Sequence, residues 1–569
     1  MGLIKFIIFS SILLVNCGVL ATLNARAWKS QSAYPTASDF PESELLKSKP
    51  NTAIAFSGGG SRAYTAAMGY LAGLYELDLL KNVRYIGGVS GGAWATTTFT
   101  YVQNVSDDQV FLGKIVQPED IRYEELKIMD PSCARSVVYK ELTLIALEAM
   151  KDKTVSSLAE AWSYGVSKTY LEPMGIMPDK RFSWNAKAVA DIKARNPSLA
   201  DADFTIPVNQ NRPYPIIGTT LVGPIEAAPF TSKTQNYSMM EFTPLYVGQM
   251  MSQDVNYRYK GIGLTHTKKV GGTVEPFAFA RIGGDAPSHG LAKRMTSSVL
   301  EVPEPDVFVD LQFAAGAVSY APGSFFESIL IPDVASDTSM QFNYWSPAEE
   351  VRPDFTTMMY ADGGCYQNIP LINFMQRGVS KIVLFFLSSI PLLPFEDWDV
   401  NTDPYSQDQV TNDLSAYFGA LTTDDPRWQN RSFEMERDQV FANSDYAKVI
   451  TALHTAQQVG KGIFATMNLT TIENAWWGIP AGKTFEITFS YLGRLPQWEA
   501  KLSPEMYKLA VPSENAEDLS VDVDSGPFKK FPHYNTMGGG INAEKANLLA
   551  DLTGWSILEN EDLFRRVLS

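Results

Sequence analysis

Short apolar runs, each closed by a glycine-rich or polar turn, set the rhythm of this chain. Thr52-Ala53-Ile54-Ala55-Phe56 predicts a strand buried on both faces, and it ends at Ser57-Gly58-Gly59-Gly60-Ser61-Arg62. A helical pattern then runs through Leu74. Val83-Arg84-Tyr85-Ile86 predicts a second strand, followed by Gly88-Val89-Ser90-Gly91-Gly92 and a helix to about Tyr101. Two consecutive strand–turn–helix units predict an α/β protein with a parallel sheet. Pro215–Thr220, Val307–Phe313, Thr356–Ala361, Ile382–Leu387 and Thr484–Leu492 read as further strands, and Val449–Val459 as a helix. Between about 106 and 212 the pattern is mostly helical, which predicts an insertion or cap on the sheet. No internal repeat or low-complexity tract interrupts it.

Composition adds three constraints. A chain of 569 residues, 45% hydrophobic and 19% charged, can bury a large core and does not have a disordered composition. A net charge of −16 argues against nucleic acid as a partner. Lys5 precedes an apolar run from Phe6 to Leu20 that ends near the small-x-small pattern Ala25-Arg26-Ala27. This predicts a secretory signal peptide over 1–27, shorter than the ~20 apolar residues of a membrane span. A proline-marked leader over 28–50 then precedes a folded region from 51 to 569. The sequons at Asn104, Asn236, Asn430 and Asn468 are glycosylation candidates that agree with a secreted or lumenal location.

Of three cysteines, Cys17 falls in the leader. Cys133 and Cys365 could form one disulfide or remain two buried thiols. No Cys/His spacing resembles a metal site, and no metal or cofactor is expected. Trp476-Trp477 could be a buried aromatic pair or a bilayer contact.

The two glycine turns carry the candidate chemistry. Gly88-Val89-Ser90-Gly91-Gly92 fits the G-x-S-x-G elbow, in which a tight strand-to-helix turn lifts a serine hydroxyl clear of the backbone. In Gly58-Gly59-Gly60-Ser61-Arg62, successive N–H groups can converge on an oxyanion, and Arg62 adds a fixed positive charge. Gly58-x-Gly60-x-x-Ala63 also fits a loose dinucleotide fingerprint with Glu76 or Asp78 at the ribose distance. Those acids sit in an apolar helical run, which disfavours that reading, and a P-loop is excluded because no Gly-Lys-Ser/Thr follows. Asp362, directly after the Thr356–Ala361 strand, could serve as a base for Ser90. A Ser–Asp–His arrangement using His533, or less favourably His454, stays open.

SGGGSRA, GVSGG and DGGCYQNIPL, in that order, resemble the patatin-like, cytosolic phospholipase A2 and lysophospholipase (phospholipase B) superfamily. Glu241-Phe242-Thr243-Pro244 and Gln376-Arg377-Gly378-Val379 look like further stretches of it. The resemblance implies a three-layer α/β/α fold with a central, mostly parallel sheet and helical cap insertions. It implies a Ser90–Asp362 dyad without histidine, and an oxyanion hole from the N–H groups of Gly59 and Gly60. Arg62 would hold lipid phosphate or the anion, and Asn368 would support the Asp362 loop. Phospholipid or lysophospholipid at a membrane or micelle surface would be the substrate, with no calcium domain to be assumed. The alternatives are a Ser–Asp–His esterase on soluble esters and a non-catalytic lipid-binding or storage protein of the same fold.

Overall fold

The computed structural model describes residues 21–28, 33–227, 237–258, 265–279, 293–294, 299–305, 307–320, 340–344, 346, 356–404, 409–420, 437–511, 526–536 and 540–569. Its frame is a fourteen-strand sheet with a parallel centre. Thr52–Phe56 pairs in parallel with Tyr85–Gly88 on one side and Lys381–Phe386 on the other. Tyr214–Pro224 and Thr484–Tyr491 extend the parallel set outward. Burial explains the composition of these strands: every residue of Thr52–Phe56 and of Tyr214–Pro224 is buried, so both faces must be apolar or hydrogen-bonded.

The expected α/β centre is therefore present, with helices Gly60–Glu76 and Gly91–Tyr101 where the pattern places them. The second half of the sheet was not legible. Ser238–Phe242, Val247–Arg258 and Thr265–Val274 continue it as an antiparallel ribbon. Ile463–Thr470 adds an antiparallel edge on the other side. Val307–Phe313 is a correction: Leu311–Ala317 is a helix, capped by the Asp310 side chain accepting the Phe313 N–H at 2.7 Å. An Asp N-cap ahead of an apolar run is a helix start, and it outweighs the valines before it.

The 106–212 stretch is mainly helical, with Leu142–Lys151 against Leu158–Val166 as its most regular pair. It also holds a two-residue parallel ladder, Arg181–Phe182 with Phe204–Thr205. Cys133 and Cys365 are buried free thiols. Trp477 is fully buried, its Nε1 donating to Asp438, and Trp476 is half-buried beneath Arg437. Asn104 and Asn468 are exposed, while Asn236 and Asn430 lie outside the described residues.

The expected secretion leader overlaps an ordered strand. Thr22–Trp28 pairs with Val299–Pro303 along one edge and reaches Thr265–Val274 along the other. Leu23 and Ala25 are fully buried, and Glu275 accepts the Arg26 N–H at 2.6 Å.

The stretch after it is anchored by charge. Arg377, 2% exposed, donates to Glu42 at 2.8 Å and to both carboxylate oxygens of Glu241 at 2.9 and 2.6 Å. Asn373 and Tyr246 also donate to Glu241, and the Phe40 ring lies 4.0 Å below the guanidinium. The two motifs Glu241-Phe242-Thr243-Pro244 and Gln376-Arg377-Gly378-Val379 thus meet in one ion pair. Burial opposes ionised Glu241, but Arg377 and these hydrogen bonds prevail and hold its carboxyl below the usual range. Burial raises the Glu42 carboxyl despite the same arginine. Removing the shared cation leaves carboxyl groups buried without compensation, so Arg377→Met is expected to cost about 3–5 kcal/mol. A urea-denaturation midpoint compared with wild type measures it.

Candidate functional site

Parallel register creates the site. Phe56 stands opposite Gly88, so the turns that follow these two strands leave the sheet side by side at its carboxyl edge. Their backbones touch: a Cβ on Gly91 would lie 2.2 Å from the Gly60 oxygen and 2.7 Å from the Gly60 nitrogen. Only a glycine at 91 admits that approach.

Ser90 occupies the elbow with φ 51° and ψ −125°. A non-glycine residue there costs on the order of 1–3 kcal/mol and persists only where its surroundings determine it. Its N–H donates to the Val318 carbonyl at 3.1 Å, which holds the turn from the far side. Gly59 has φ 141° and starts the Gly60–Glu76 helix. Neither Gly59 nor Gly60 gives its N–H to a protein acceptor among the described residues. Two N–H groups at a helix N-terminus, beside the Ser90 turn, can bind developing negative charge.

Asp362 reaches this edge by a route the spacing did not suggest. Its strand, Thr356–Ala361, is antiparallel to Tyr214–Pro224, with Ala361 opposite Thr220. Tyr214–Pro224 outruns its parallel neighbour, whose pairing ends at Gly88 with Ile217. An antiparallel strand returning along that overhang therefore finishes next to the elbow. Thr219 Oγ1 donates to the Ala361 carbonyl at 2.8 Å and Thr220 Oγ1 to that of Asp362 at 2.9 Å. These two threonines fix the aspartate loop.

The Asp362 carboxylate is 8% exposed and accepts the Gly364 N–H at 2.9 Å. Burial pushes its carboxyl up to about 6, against the pull of that N–H and of the nearby Ser90 side chain; Asp413 pushes in the same direction as burial. Asn368 joins the loops. Its carbonyl accepts the Gly58 N–H at 3.0 Å, its Nδ2 donates to Asp413 at 2.7 Å, and its Oδ1 faces Gly58 and Gly364. Asp413 also accepts from Thr411 Oγ1 at 3.1 Å, and nothing in its local sequence marked it.

Arg62 is a brace. It is 5% exposed, with Nε on the Leu387 carbonyl at 2.8 Å and Nη1 on that of Tyr534 at 2.5 Å. Nη2 lies against Gly59. Its guanidinium ties the glycine turn to the Lys381–Phe386 strand end and to the C-terminal segment, which differs from an outward-facing phosphate contact. Burial lowers its pKa to about 10. The C-terminal segment adds Thr536, whose Oγ1 donates to the Gly59 carbonyl at 2.7 Å.

The histidines are held elsewhere. His533 Nδ1 bonds the Ser388 carbonyl at 3.0 Å, and His454 Nε2 bonds the Leu393 carbonyl at 2.9 Å. Neither is among the groups contacting Ser90 or Asp362. Burial lowers the His533 imidazole to about 4, helped by Arg62 and Arg494. Among the described residues no cluster of three or more His, Cys, Asp or Glu could hold a metal ion, and no helix is long and apolar enough to cross a membrane.

Residues 54–244 match the family model described as patatin-like phospholipase. Mouse (Mus musculus) cytosolic phospholipase A2 zeta is 53% identical over 49 residues, 9% of this chain and 6% of that protein. Lysophospholipase 1 of Saccharomyces cerevisiae is 23% identical over 424 residues, 67% of this chain and 57% of its own. The chain thus spans less than two thirds of these relatives' lengths. Among solved structures, human GIVD cytosolic phospholipase A2 aligns with a TM-score of 0.41 at 16% identity, covering 93% of this chain and 61% of that one.

A carboxyl raised by burial makes the folded state bind a proton that the unfolded state has released. Stability therefore falls as pH rises from about 4 through about 6, and the cost is fully present above that window. Asp362→Asn is expected to raise stability by about 1–3 kcal/mol at pH 8 and by little at pH 4. Thermal melts of the variant and wild type at the two pH values measure the difference.

Proposed function

Taking residues 54–244 as a patatin-like phospholipase domain, we propose that this protein is a serine lipid acyl hydrolase that cleaves acyl esters of glycerophospholipids or lysophospholipids. The observation that carries the reading is a serine on a strained turn whose side chain lies near enough to a buried carboxylate to favour its ionised form. Ser90 Oγ attacks the ester carbonyl while Asp362 takes its proton. The N–H groups of Gly59 and Gly60 receive the oxyanion. Collapse passes the proton from Asp362 to the leaving alcohol and leaves an acyl-serine. Water, deprotonated by Asp362, attacks the acyl-serine; as the acyl–Oγ bond breaks, Asp362 returns the proton to Ser90 Oγ and the fatty acid is released. Asn368 and Asp413 position the loops through hydrogen bonds, and Arg62 keeps the glycine turn in place.

A raised carboxyl suits the base: an unperturbed aspartate would be a weak proton acceptor at neutral pH, and one near 6 is stronger. The apolar run Phe6–Leu20 and the exposed sequons at Asn104 and Asn468 support a secreted or lumenal location, where such an enzyme meets lipid at a membrane or micelle surface.

Ser90→Ala is expected to lower hydrolysis of lysophosphatidylcholine by about three orders of magnitude or more. Survival of activity in that variant would remove the reading, and an inactive wild type would favour the binding-protein alternative. The pH profile separates dyad from triad. Asp362 must be deprotonated to accept the proton, so kcat/KM is expected to fall below a pH of about 6 and to be level above it. A histidine base at His533 would place that limb near 4.

A further inference from the structure

The helix that follows the first glycine turn begins without a cap of its own. Ser, Thr, Asp or Asn commonly stands just before a helix and offers a side-chain oxygen to the N–H groups of its first turn. Here that position is Gly59, whose φ of 141° suits glycine and which has no side chain to offer. A Cβ on Gly59 would collide with Nη2 of Arg62, so no cap residue can stand there. The oxygen comes instead from a residue 477 positions along the chain. Thr536, 4% exposed, accepts the Arg62 N–H on its Oγ1 at 3.3 Å. Arg62 is the third residue of the helix Gly60–Glu76, where a local cap oxygen would bond.

The same hydroxyl donates to the Gly59 carbonyl at 2.7 Å. The helix's own first bond to that carbonyl, from the Ala63 N–H, is longer at 3.3 Å. A planar trans peptide points its C=O and its N–H in opposite directions. Holding the Gly59 carbonyl therefore also aims the Gly60 N–H, the other end of the same peptide, and that N–H has no protein acceptor among the described residues. Gly60 touches both the C-terminal segment and the serine turn. A Cβ on Gly60 would lie 2.9 Å from the Thr536 carbonyl oxygen, and one on Gly91 would lie 2.7 Å from the Gly60 nitrogen. Arg62 grips the segment in return, with Nη1 donating to the Tyr534 carbonyl at 2.5 Å.

We propose that Thr536 is a positioning residue of the oxyanion hole. Its hydroxyl caps the helix from the C-terminal segment and sets the Gly59–Gly60 peptide so that the Gly60 N–H meets the anion formed at the ester. The inference rests on the acyl hydrolase reading above. A distant threonine gives the helix its cap while the turn itself stays bare glycine, open to close approach by the substrate.

The test compares Thr536→Val and Thr536→Ser with wild type on lysophosphatidylcholine. Valine keeps the shape and removes the hydroxyl, whereas serine keeps the hydroxyl. Thr536→Val is expected to lower kcat about ten- to a hundredfold and to leave KM within about twofold, because the N–H acts on the transition state more than on the bound ester. Its inactivation by a fluorophosphonate, whose phosphoryl oxygen takes the place of the oxyanion, is expected to slow in parallel. Thr536→Ser is expected to bring both rates back to within about threefold of wild type. A lowered melting temperature with kcat unchanged would make Thr536 a helix cap alone and overturn the assignment. A raised KM with kcat unchanged would make it a substrate contact and overturn it as well. Thr536→Ala gives the same comparison if the valine variant does not fold. Wild-type protein inert to both the lipid and the fluorophosphonate would defeat the hydrolase reading instead, which keeps the two failures distinct.

Discussion

Backbone contact between two glycine turns is the constraint on which this site depends. Parallel pairing of Phe56 with Gly88 sends both turns out of the sheet together, and the approach of Gly60 to Gly91 leaves no room for a side chain between them. The rest of the site is placed with respect to that contact. Asn368 bonds one turn through its carbonyl and faces Gly364 with its amide oxygen. Thr536 closes on the other side through the Gly59 carbonyl. Shifting either strand by one residue would turn the serine away from the aspartate, because side chains alternate faces along a strand.

Charge is arranged around this backbone frame with unequal compensation. At Arg377 a cation is surrounded by two carboxyls, a phenol, an amide and a ring, and the group acts as an anchor for the stretch around Glu42. At Asp362 no cation among the described residues balances the carboxylate directly, and Asp413 adds to its burden. The first group is compensated by its neighbours, and the second is left with a raised carboxyl. The same distinction separates Arg62 from a ligand-binding arginine: backbone carbonyls hold two sides of it, as they would a strut.

The half of the molecule nearest the glycine turns was legible because its strands are short, mainly apolar and set off by turn residues. Thr52–Phe56, Tyr85–Gly88, Lys381–Phe386 and Thr484–Tyr491 announce themselves in this way. The ribbon Val247–Arg258 with Thr265–Val274 did not, since its outer parts carry an exposed Asp254 and half-buried Lys268 and Lys269 and mimic a polar loop. The Val307–Phe313 reading failed where an Asp cap redirected an apolar run into a helix. Within the site, Ser90, Asp362, Gly59 and Gly60 converge as the motifs suggested. Asp413 and Thr536 were invisible because they reach the site through long-range folding and stand in no motif. Arg62 was located but its partners were not, since carbonyl groups leave no signature in a sequence.

The strand Thr22–Trp28 sets a condition on any cut at the end of the expected leader. A peptidase that cut after Ala27 would need its target extended and unpaired in a cleft. In the finished sheet Ala27 and Trp28 pair with Val274 and Thr273, Thr22–Arg26 pair with Val299–Pro303, and Ala25 is fully buried. Such a cut and this strand are therefore alternatives for the same seven residues. A chain cut before folding would leave Val299–Pro303 and the end of Thr265–Val274 as exposed edges open to another partner, whereas a chain that folded uncut would keep these residues as structure. The width of this sheet would then record which of the two had come first.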